Sequence, residues 1–203
     1  MASEVDICNL SLGHCNNPAQ VSAINPPDGS NEAKQCARFY PIARDEALVD
    51  FKGNFSIRYA TLAPLSSDPD SDWLFRFALP NDYLDALELT CDGFPDPQDF
   101  EVTSSDSDGE ILQTNTETPL LKYVARIVLT GLFPPKFVTA LSYNLASYLA
   151  GPITKKREKA EEMKKLYIAS LAEASVHDAN SKKAGGPRQR QKDYRPKGIV
   201  ARD

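Results

Sequence analysis

The chain has 203 residues, of which 41% are hydrophobic and 25% are charged, so it is long enough for one globular core or for a core with a smaller lobe. Its four cysteines occur without a signal peptide or an apolar run that could span a bilayer, so we expect reduced thiols, a cytosolic assembly environment and no membrane partner. These features argue against a secreted disulfide-bonded protein and against a membrane-spanning one.

Charge is divided unevenly along the chain. Residues 154–203 hold 14 Lys and Arg against 7 Asp and Glu, which leaves 9 against 21 for residues 1–153. The formal charges of the two parts are therefore +7 and −12. Opposite patches steer encounters and fix orientation, so this division favours head-to-tail contacts between copies or docking of one end on an acidic partner. A solvated helix face followed by a disordered tail would give the same pattern.

Two helices are predicted at the start of the chain. Ser3 opens the first one with a capping box, and we expect this helix to end at Gly13. Ser30 caps the second helix, which runs to about Gly53. Pro41 predicts a kink or a junction of two helical pieces, because proline lacks an amide hydrogen and clashes with the preceding turn. The apolar residues that recur at helical spacing are Cys36, Tyr40, Ala43, Ala47 and Phe51.

The central third of the chain predicts an antiparallel sheet of four to five short strands. In the first of them Phe55, Ile57 and Tyr59 alternate with polar residues, which is typical of a half-buried strand. Prolines and turn residues separate this strand from those that follow. The further predicted strands are Trp73–Leu79, a segment through Leu84 and Leu89, Glu110–Thr114 and Leu120–Leu129.

An acidic stretch interrupts the sheet pattern. Residues 92–110 contain seven acidic side chains and no Lys or Arg, and we interpret them as mostly loop. Such a loop commonly just faces water.

Two more helices and a basic tail are predicted at the C-terminus. Pro134-Pro135 starts a helix with an apolar stripe, and Gly151-Pro152 is expected to end it. A long helix follows from Thr154, and its apolar side is formed by Ala160, Met163, Tyr167, Leu171 and Ala174. Residues 184–203 are rich in Gly, Pro, Arg and Lys and cannot bury a core on their own. We expect this tail to become ordered on a neighbouring molecule.

Several segments carry a family resemblance. The second helix has an A-x(2)-Y-x(3)-R-D-x(2)-L pattern and follows a loop that runs from NPAQ to PPDGS. Residues 75–84, 122–127 and 133–153 continue the match. In order and spacing, over about residues 4–175, these segments resemble the tail tubular protein A family, the head-to-tail adaptor proteins of short-tailed phages. The residues of the helix pattern are Ala37, Tyr40, Arg44, Asp45 and Leu48.

The expected fold class is α+β. Helices from both ends of the chain form a bundle, a small antiparallel β lobe lies between them in sequence, and the C-terminal tail is extended. The expected parts are N-terminal bundle helices at 1–53, a β lobe at 54–130 with its acidic loop at 92–110, C-terminal bundle helices at 131–183 and a basic tail at 184–203.

The sequence lacks the signatures of common catalytic and cofactor sites. Neither His14 nor His177 lies near a nucleophile signature, and no phosphate-binding glycine motif is present. Cys8 and Cys15 lie close to His14, but their spacing does not match a zinc site. Cys8 and Cys36 are better interpreted as small hydrophobic residues of the core. We therefore expect no enzyme activity, no cofactor and no metal.

The resemblance implies a structural head-to-tail adaptor in the virion. Twelve copies would form a ring between the portal protein and the tail nozzle, and double-stranded DNA would pass through the channel without specific binding. The protein would lie at the head-tail junction of the virion, and in the host cytoplasm during assembly. In such a ring the acidic loop could line the channel, where its charge would repel DNA phosphates. The candidate channel-facing residues are Asp96, Asp99, Glu101, Asp106 and Asp108. The resemblance does not extend to the basic tail, whose role in reaching the portal is a separate hypothesis. The candidate portal contacts are Lys182, Lys183, Arg188, Arg190, Lys192, Tyr194, Arg195 and Lys197.

Two alternatives remain open from the sequence. The first is an accessory protein that binds nucleic acid through its basic tail, which salt-sensitive retention on DNA without ring formation would favour. The second is an adaptor or head-completion protein of a long-tailed phage. Its task would resemble that of the short-tailed-phage adaptor, but its neighbouring proteins would differ.

Overall fold

The computed structural model describes residues 2–66, 72–91, 96–105 and 108–183. This part of the chain contains four α-helices and seven strands, so the expected α+β fold class is confirmed. The helices are α1 (Glu4–His14), α2 (Asn31–Phe51), α3 (Pro135–Thr154) and α4 (Arg157–Lys183). The strands are β1 (Ile57–Thr61), β2 (Ala63–Pro64), β3 (Phe75–Ala78), β4 (Tyr83–Cys91), β5 (Phe100–Ser105), β6 (Gly109–Thr114) and β7 (Pro119–Ala125).

The predicted capping box of α1 is present, but the helix ends later than expected. The Ser3 hydroxyl accepts a hydrogen bond from the Asp6 amide at 3.1 Å, and the Asp6 carboxylate accepts one from the Ser3 amide at 2.8 Å. The predicted end at Gly13 is wrong, because the helix continues to His14. Asn16, with a φ of 57°, adopts the left-handed conformation that the glycine was expected to supply.

α2 is one helix that continues through Pro41. The Ser30 hydroxyl accepts a hydrogen bond from the Ala33 amide at 3.1 Å, and Lys52, which follows the last residue of the helix, has a φ of 49°. The alternative of two helical pieces is wrong. Residues on both sides of the proline, including Tyr40 and Ala43, are buried in the same core and hold the two halves in one helix.

α3 is the central helix of the bundle and packs against α1, α2 and α4. It begins at Pro135 as predicted, but it continues past Gly151 and Pro152 to Thr154. The Thr154 hydroxyl donates to the Ala150 carbonyl at 2.6 Å, and the Lys155 amide donates to the Gly151 carbonyl at 3.1 Å, so the last turn remains bonded. Its fully buried apolar side chains are Phe137, Ala140, Leu141, Leu145, Ala146, Leu149 and Ala150.

α4 runs antiparallel to α3 and ends beside the β lobe. Lys136, at the start of α3, forms an ion pair with Glu173, in the second half of α4. Farther along α4, Asp178 accepts a hydrogen bond from the Asn54 side chain at 2.8 Å, just before β1. The predicted apolar side is buried at Met163, Tyr167 and Ala174.

The β lobe consists of two antiparallel sheets, with strand orders β1-β7-β4 and β2-β3-β6-β5. The prediction of one sheet of four to five strands is therefore wrong. The chain passes from the first sheet to the second at Leu62, which is buried between β1 and β2. Buried residues from both sheets, including Leu121 and Leu112, belong to the same core as the bundle.

Three details of the predicted strands also differ. Part of the acidic stretch forms β5, because Phe100 and Val102 pack against the core while Glu101 between them is exposed. β7 ends at Ala125 instead of Leu129, and the Arg126 amide donates to the Asp82 carbonyl. Tyr59 in β1 was expected on the buried side, but 65% of it is exposed.

A cluster of four phenylalanines joins the bundle to the lobe. Phe137 of α3 lies with its ring centroid 5.1 Å from that of Phe55 and 5.0 Å from that of Phe133. Phe51, at the end of α2, is 5.5 Å from Phe137. These tilted and edge-to-face contacts are the favoured arrangement of aromatic rings. They connect the last turn of α2, the start of α3 and the entrance to β1.

We predict that Phe137→Ala lowers the free energy of unfolding by about 3–5 kcal/mol, because the lost side chain is fully buried among three other rings. Urea unfolding followed by circular dichroism measures this change. The control is Leu129→Ala, whose residue is 67% exposed and should change stability by less than about 0.5 kcal/mol. A similar effect of both substitutions would contradict the prediction.

Candidate interaction surfaces

A polar network joins three helices of the bundle. One carboxylate oxygen of Glu46 in α2 accepts hydrogen bonds from the Asn144 amide and the Tyr148 hydroxyl of α3, both at 2.8 Å. The other oxygen accepts from the Lys164 ammonium of α4 at 2.7 Å. Asn144 is fully buried and also donates to the Ala43 carbonyl at 3.1 Å. A single carboxylate therefore fixes the relative positions of α2, α3 and α4.

The electrostatics of this network favour a structural role. Burial raises the pKa of Tyr148 to about 12, and its hydrogen bond to Glu46 acts in the same direction. Burial alone would raise the pKa of Glu46, but hydrogen bonds donated by Lys164, Asn144 and Tyr148 hold it below its ordinary value. At neutral pH the tyrosine therefore stays protonated and the glutamate ionised, so neither group is suited to general acid-base chemistry.

Sequence reasoning missed this network, although a signal was present. Asn144 lies between Leu141 and Leu145 in the apolar stripe of the predicted helix. A polar side chain in such a stripe requires a hydrogen-bonding partner when it is buried. That partner could not be identified from the sequence, because Glu46 is 98 positions away from Asn144.

Ion pairs also connect the bundle to the lobe. Asp45 of α2 accepts from Arg126, just after β7, at 2.8 Å. Lys52, just after α2, pairs with Asp85 of β4 at 2.8 Å. These side chains are partly exposed, so each pair contributes little to stability, but together they fix the orientation of neighbouring elements.

His14 and Cys8 of α1 and Cys36 of α2 are packed against other side chains. Nε2 of His14 lies 3.1 Å from the Ser142 hydroxyl, and its ring stacks on Tyr143. Cys8 and Cys36 are fully buried, which confirms their predicted packing as small hydrophobic residues. A hydrogen bond with Cys36, together with burial, raises the pKa of the Cys8 thiol. Within the described ranges, no group of three or more His, Cys, Asp and Glu side chains is arranged to hold a metal ion.

A hollow of about 540 Å³ lies between the end of α1 and the start of α4. Its lining includes the ion pair of Lys159 and Glu162, at 3.0 Å, so these charges already satisfy each other. Cys15 also lines it, and burial raises the pKa of this thiol to about 11. A thiol with such a pKa is a poor nucleophile at neutral pH. The hollow therefore does not support a catalytic function.

The acidic candidates lie on the outer part of the lobe. Asp96, Asp99 and Asp108 are exposed, and Asp99 directly precedes β5. Glu101 is exposed on β5 and accepts a hydrogen bond from the Trp73 indole at 3.0 Å. Asp106 lies outside the described residues. The role of these residues in lining a channel stays a prediction.

The proposed portal contacts belong to the end of the chain. Lys182 and Lys183 are the last residues of α4, and their side chains are outside the described part of the structure. The other candidates, which are Arg188, Arg190, Lys192, Tyr194, Arg195 and Lys197, also lie outside it. The tail continues from the end of α4. The last part of this helix lies near the β lobe, because Asp178 accepts a hydrogen bond from Asn54, just before β1.

An exposed apolar segment lies between β7 and α3, and sequence reasoning assigned much of it to a strand. Val128, Leu129 and Leu132 are 56%, 67% and 45% exposed, while Ile127 and Phe133 on either side are buried. A single 3₁₀ turn, Thr130–Leu132, follows the first two of these exposed residues. Clustered exposed apolar side chains are typical of interaction sites. We call Val128, Leu129 and Leu132 the apolar loop.

We predict that Glu46→Gln lowers the free energy of unfolding at pH 7 by about 1–3 kcal/mol, because the amide places a donor against Lys164 and removes a charge-assisted hydrogen bond. The folded-state pKa of Glu46 lies below its ordinary value of 4.5. Its stabilising contribution is therefore present above pH 4.5 and is lost as the pH falls through the folded-state pKa.

The difference in the free energy of unfolding between the unsubstituted chain and the Glu46→Gln variant should consequently become smaller between pH 7 and pH 3, as measured by urea unfolding. Glu161→Gln serves as the control, because Glu161 is 62% exposed and forms an ion pair with the 92% exposed Arg157 of its own helix. If the loss of unfolding free energy in the Glu46→Gln variant stayed the same across this pH range, the stabilising role assigned to the Glu46 charge would be refuted.

Comparison with known proteins does not assign the chain to a family. No family model matches the sequence, and no curated protein matches it. Each helix in the described part of the structure is too short or too polar to cross a bilayer.

Proposed function

We propose that this chain is a structural head-to-tail adaptor of a phage virion, as its resemblance to the tail tubular protein A family implies. Copies assemble into a ring, which by this resemblance has twelve members, between the portal protein and the tail nozzle. The ring leaves a channel through which double-stranded DNA passes. The protein acts as a connector and not as an enzyme.

The observation that carries this proposal is the concentration of contact features at one end of the bundle. The apolar loop precedes α3, and Lys136 at the start of α3 forms an ion pair with Glu173 in the second half of α4, which runs antiparallel to α3. The basic tail therefore begins at the same end of the bundle as the exposed apolar side chains. An exposed apolar surface at the same end of the bundle as the start of a basic segment supports docking on a large partner, where apolar burial supplies affinity and charge supplies orientation.

The charge division supports a passage for DNA. Residues 1–153 carry a formal charge of −12, and Asp96, Asp99, Glu101 and Asp108 are exposed on the lobe. Acidic side chains around a channel would keep DNA from binding to its wall, because phosphates are repelled by like charge. The same acidic body disfavours the alternative of a nucleic-acid-binding accessory protein.

The tail is tested by deletion. We predict that a chain without residues 184–203 keeps its circular dichroism spectrum and thermal midpoint, because the helical bundle and its core remain intact, but no longer binds the portal protein of the same phage in a pull-down. The control is a full-length chain with Arg188, Arg190 and Arg195 replaced by Lys, which keeps the charge and should retain portal binding.

Retained portal binding by the deleted chain would refute the role of the tail. Salt-sensitive DNA binding by the full-length chain, without ring formation in the presence of portal, would instead favour the accessory-protein interpretation.

The apolar loop is tested by substitution. We predict that the double variant Leu129→Ser and Leu132→Ser weakens portal binding at least about tenfold, because two exposed apolar side chains no longer become buried at the contact. Its stability should stay within about 0.5 kcal/mol of the unsubstituted chain. The control is Leu10→Ser on α1, where the residue is 44% exposed. Unchanged portal binding by the double variant would show that the loop is not a portal contact.

A further inference from the structure

The two sheets of the lobe have four edge strands, and their suitability for pairing differs. β4 carries two register shifts, at Tyr83/Asp85 and at Ala86/Glu88, which disturb its ladder. β2 has only two residues, one of which is Pro64. Bulges, short length and proline are the usual protections of an edge against pairing. β1 and β5 lack these protections, and each is paired on one side only among the described residues.

The open edge of β1 presents backbone groups. The Ala125 amide donates to the Ser56 carbonyl, and the Leu62 amide donates to the Pro119 carbonyl. In an antiparallel ladder, hydrogen-bonded positions recur at every second residue, so the even-numbered residues of β1 bond to β7. Ile57, Tyr59 and Thr61 therefore direct their amide and carbonyl groups toward the open edge.

The side chains on β1 give this edge a positive character. Arg58 and Tyr59 are both exposed although they project to opposite faces of the strand. Arg58 forms no ion pair within the described ranges. The hollow beside this strand is lined by Asn54, Ile57, Tyr59 and Lys122, but Lys122 forms an ion pair with Glu88 of β4 at 3.0 Å, so the positive charge of this edge comes from Arg58.

The open edge of β5 is negative. Glu101 is exposed on the strand, and Asp99 is exposed just before it. Glu110 of the neighbouring strand is also exposed and lies opposite Ser104. β5 pairs with β6 in regular register from Phe100 to Ser105, so the strand is straight enough to accept another strand.

These two edges lie on opposite sides of the lobe. Leu62 connects β1 directly to β2, so these strands share one side. The Gln98 amide, just before β5, donates to the Leu89 carbonyl of β4 at 2.8 Å, so β4 and β5 share the other side. Complementary patches on opposite sides of a molecule produce head-to-tail contacts, and these close into a ring when the rotation between copies allows it.

We propose that β1 of one copy pairs with β5 of the next copy, so that neighbouring lobes share a continuous sheet in which Arg58 meets Glu101 across the contact. The partner is a second copy of this chain, and the inference rests on the proposed ring-forming function. Charge selects this pairing: β1 against β1 would bring two Arg58 side chains together, and β5 against β5 would do the same with Glu101.

Charge reversal tests the pairing in the full-length chain. Arg58→Glu and Glu101→Lys should each weaken self-association at least about tenfold, measured by analytical ultracentrifugation over a concentration series, because a cross-strand attraction becomes a repulsion. The double variant restores opposite charges and should recover association. Glu101→Gln should give a smaller loss, since its amide oxygen can still accept the hydrogen bond from Trp73.

Lys34→Glu and Glu161→Lys are the matched controls, because they make the same charge changes at exposed positions of α2 and α4. Both should associate as the unsubstituted chain does. If all variants assemble equally, or if the double variant fails to recover while remaining folded, the strand pairing is wrong and the adaptor function stands. If the unsubstituted chain does not assemble at any concentration, with or without portal, both proposals are wrong.

Discussion

The carboxylate of Glu46 is the point on which the helical bundle depends. It accepts hydrogen bonds from Asn144, Tyr148 and Lys164, and so it joins α2 to both helices of the C-terminal pair. The apolar stripes of these helices could pack at several rotations, because the hydrophobic effect has no direction. A buried asparagine and a charged partner are satisfied in only one of them. The network therefore selects one arrangement of a bundle that apolar packing stabilises.

The phenylalanine cluster extends this constraint to the lobe. Phe51, Phe55, Phe133 and Phe137 come from the end of α2, the approach to β1 and the start of α3. The bundle and the sheets thus share one core, and the ion pairs of Asp45 and Lys52 lie across the same junction. A surface on the lobe and a surface on the bundle are consequently held in a fixed relation, which is what a connector between two different neighbours requires.

The proposed contacts divide between these two parts. In the two proposals the lobe would offer strand edges of opposite charge to neighbouring copies, and the bundle end would offer the apolar loop and the origin of the basic tail to a different molecule. Subunit contacts and portal contacts would therefore use separate residues. A ring could then form with the same sheet pairing before and after docking.

Local sequence patterns were sufficient to predict the four helices, the α+β class and the caps at Ser3 and Ser30, because capping and apolar periodicity are local properties of the chain. The sequence also indicated the acidic body and the basic tail, since charge is additive along a sequence. It could not show that β1 and β2 belong to different sheets, that β5 forms within an acidic stretch, or that Val128 and Leu129 turn outward. These features, and the hydrogen bond between Glu46 and Asn144, became visible in the folded chain, because strand pairing and buried hydrogen bonds join residues that are distant in sequence.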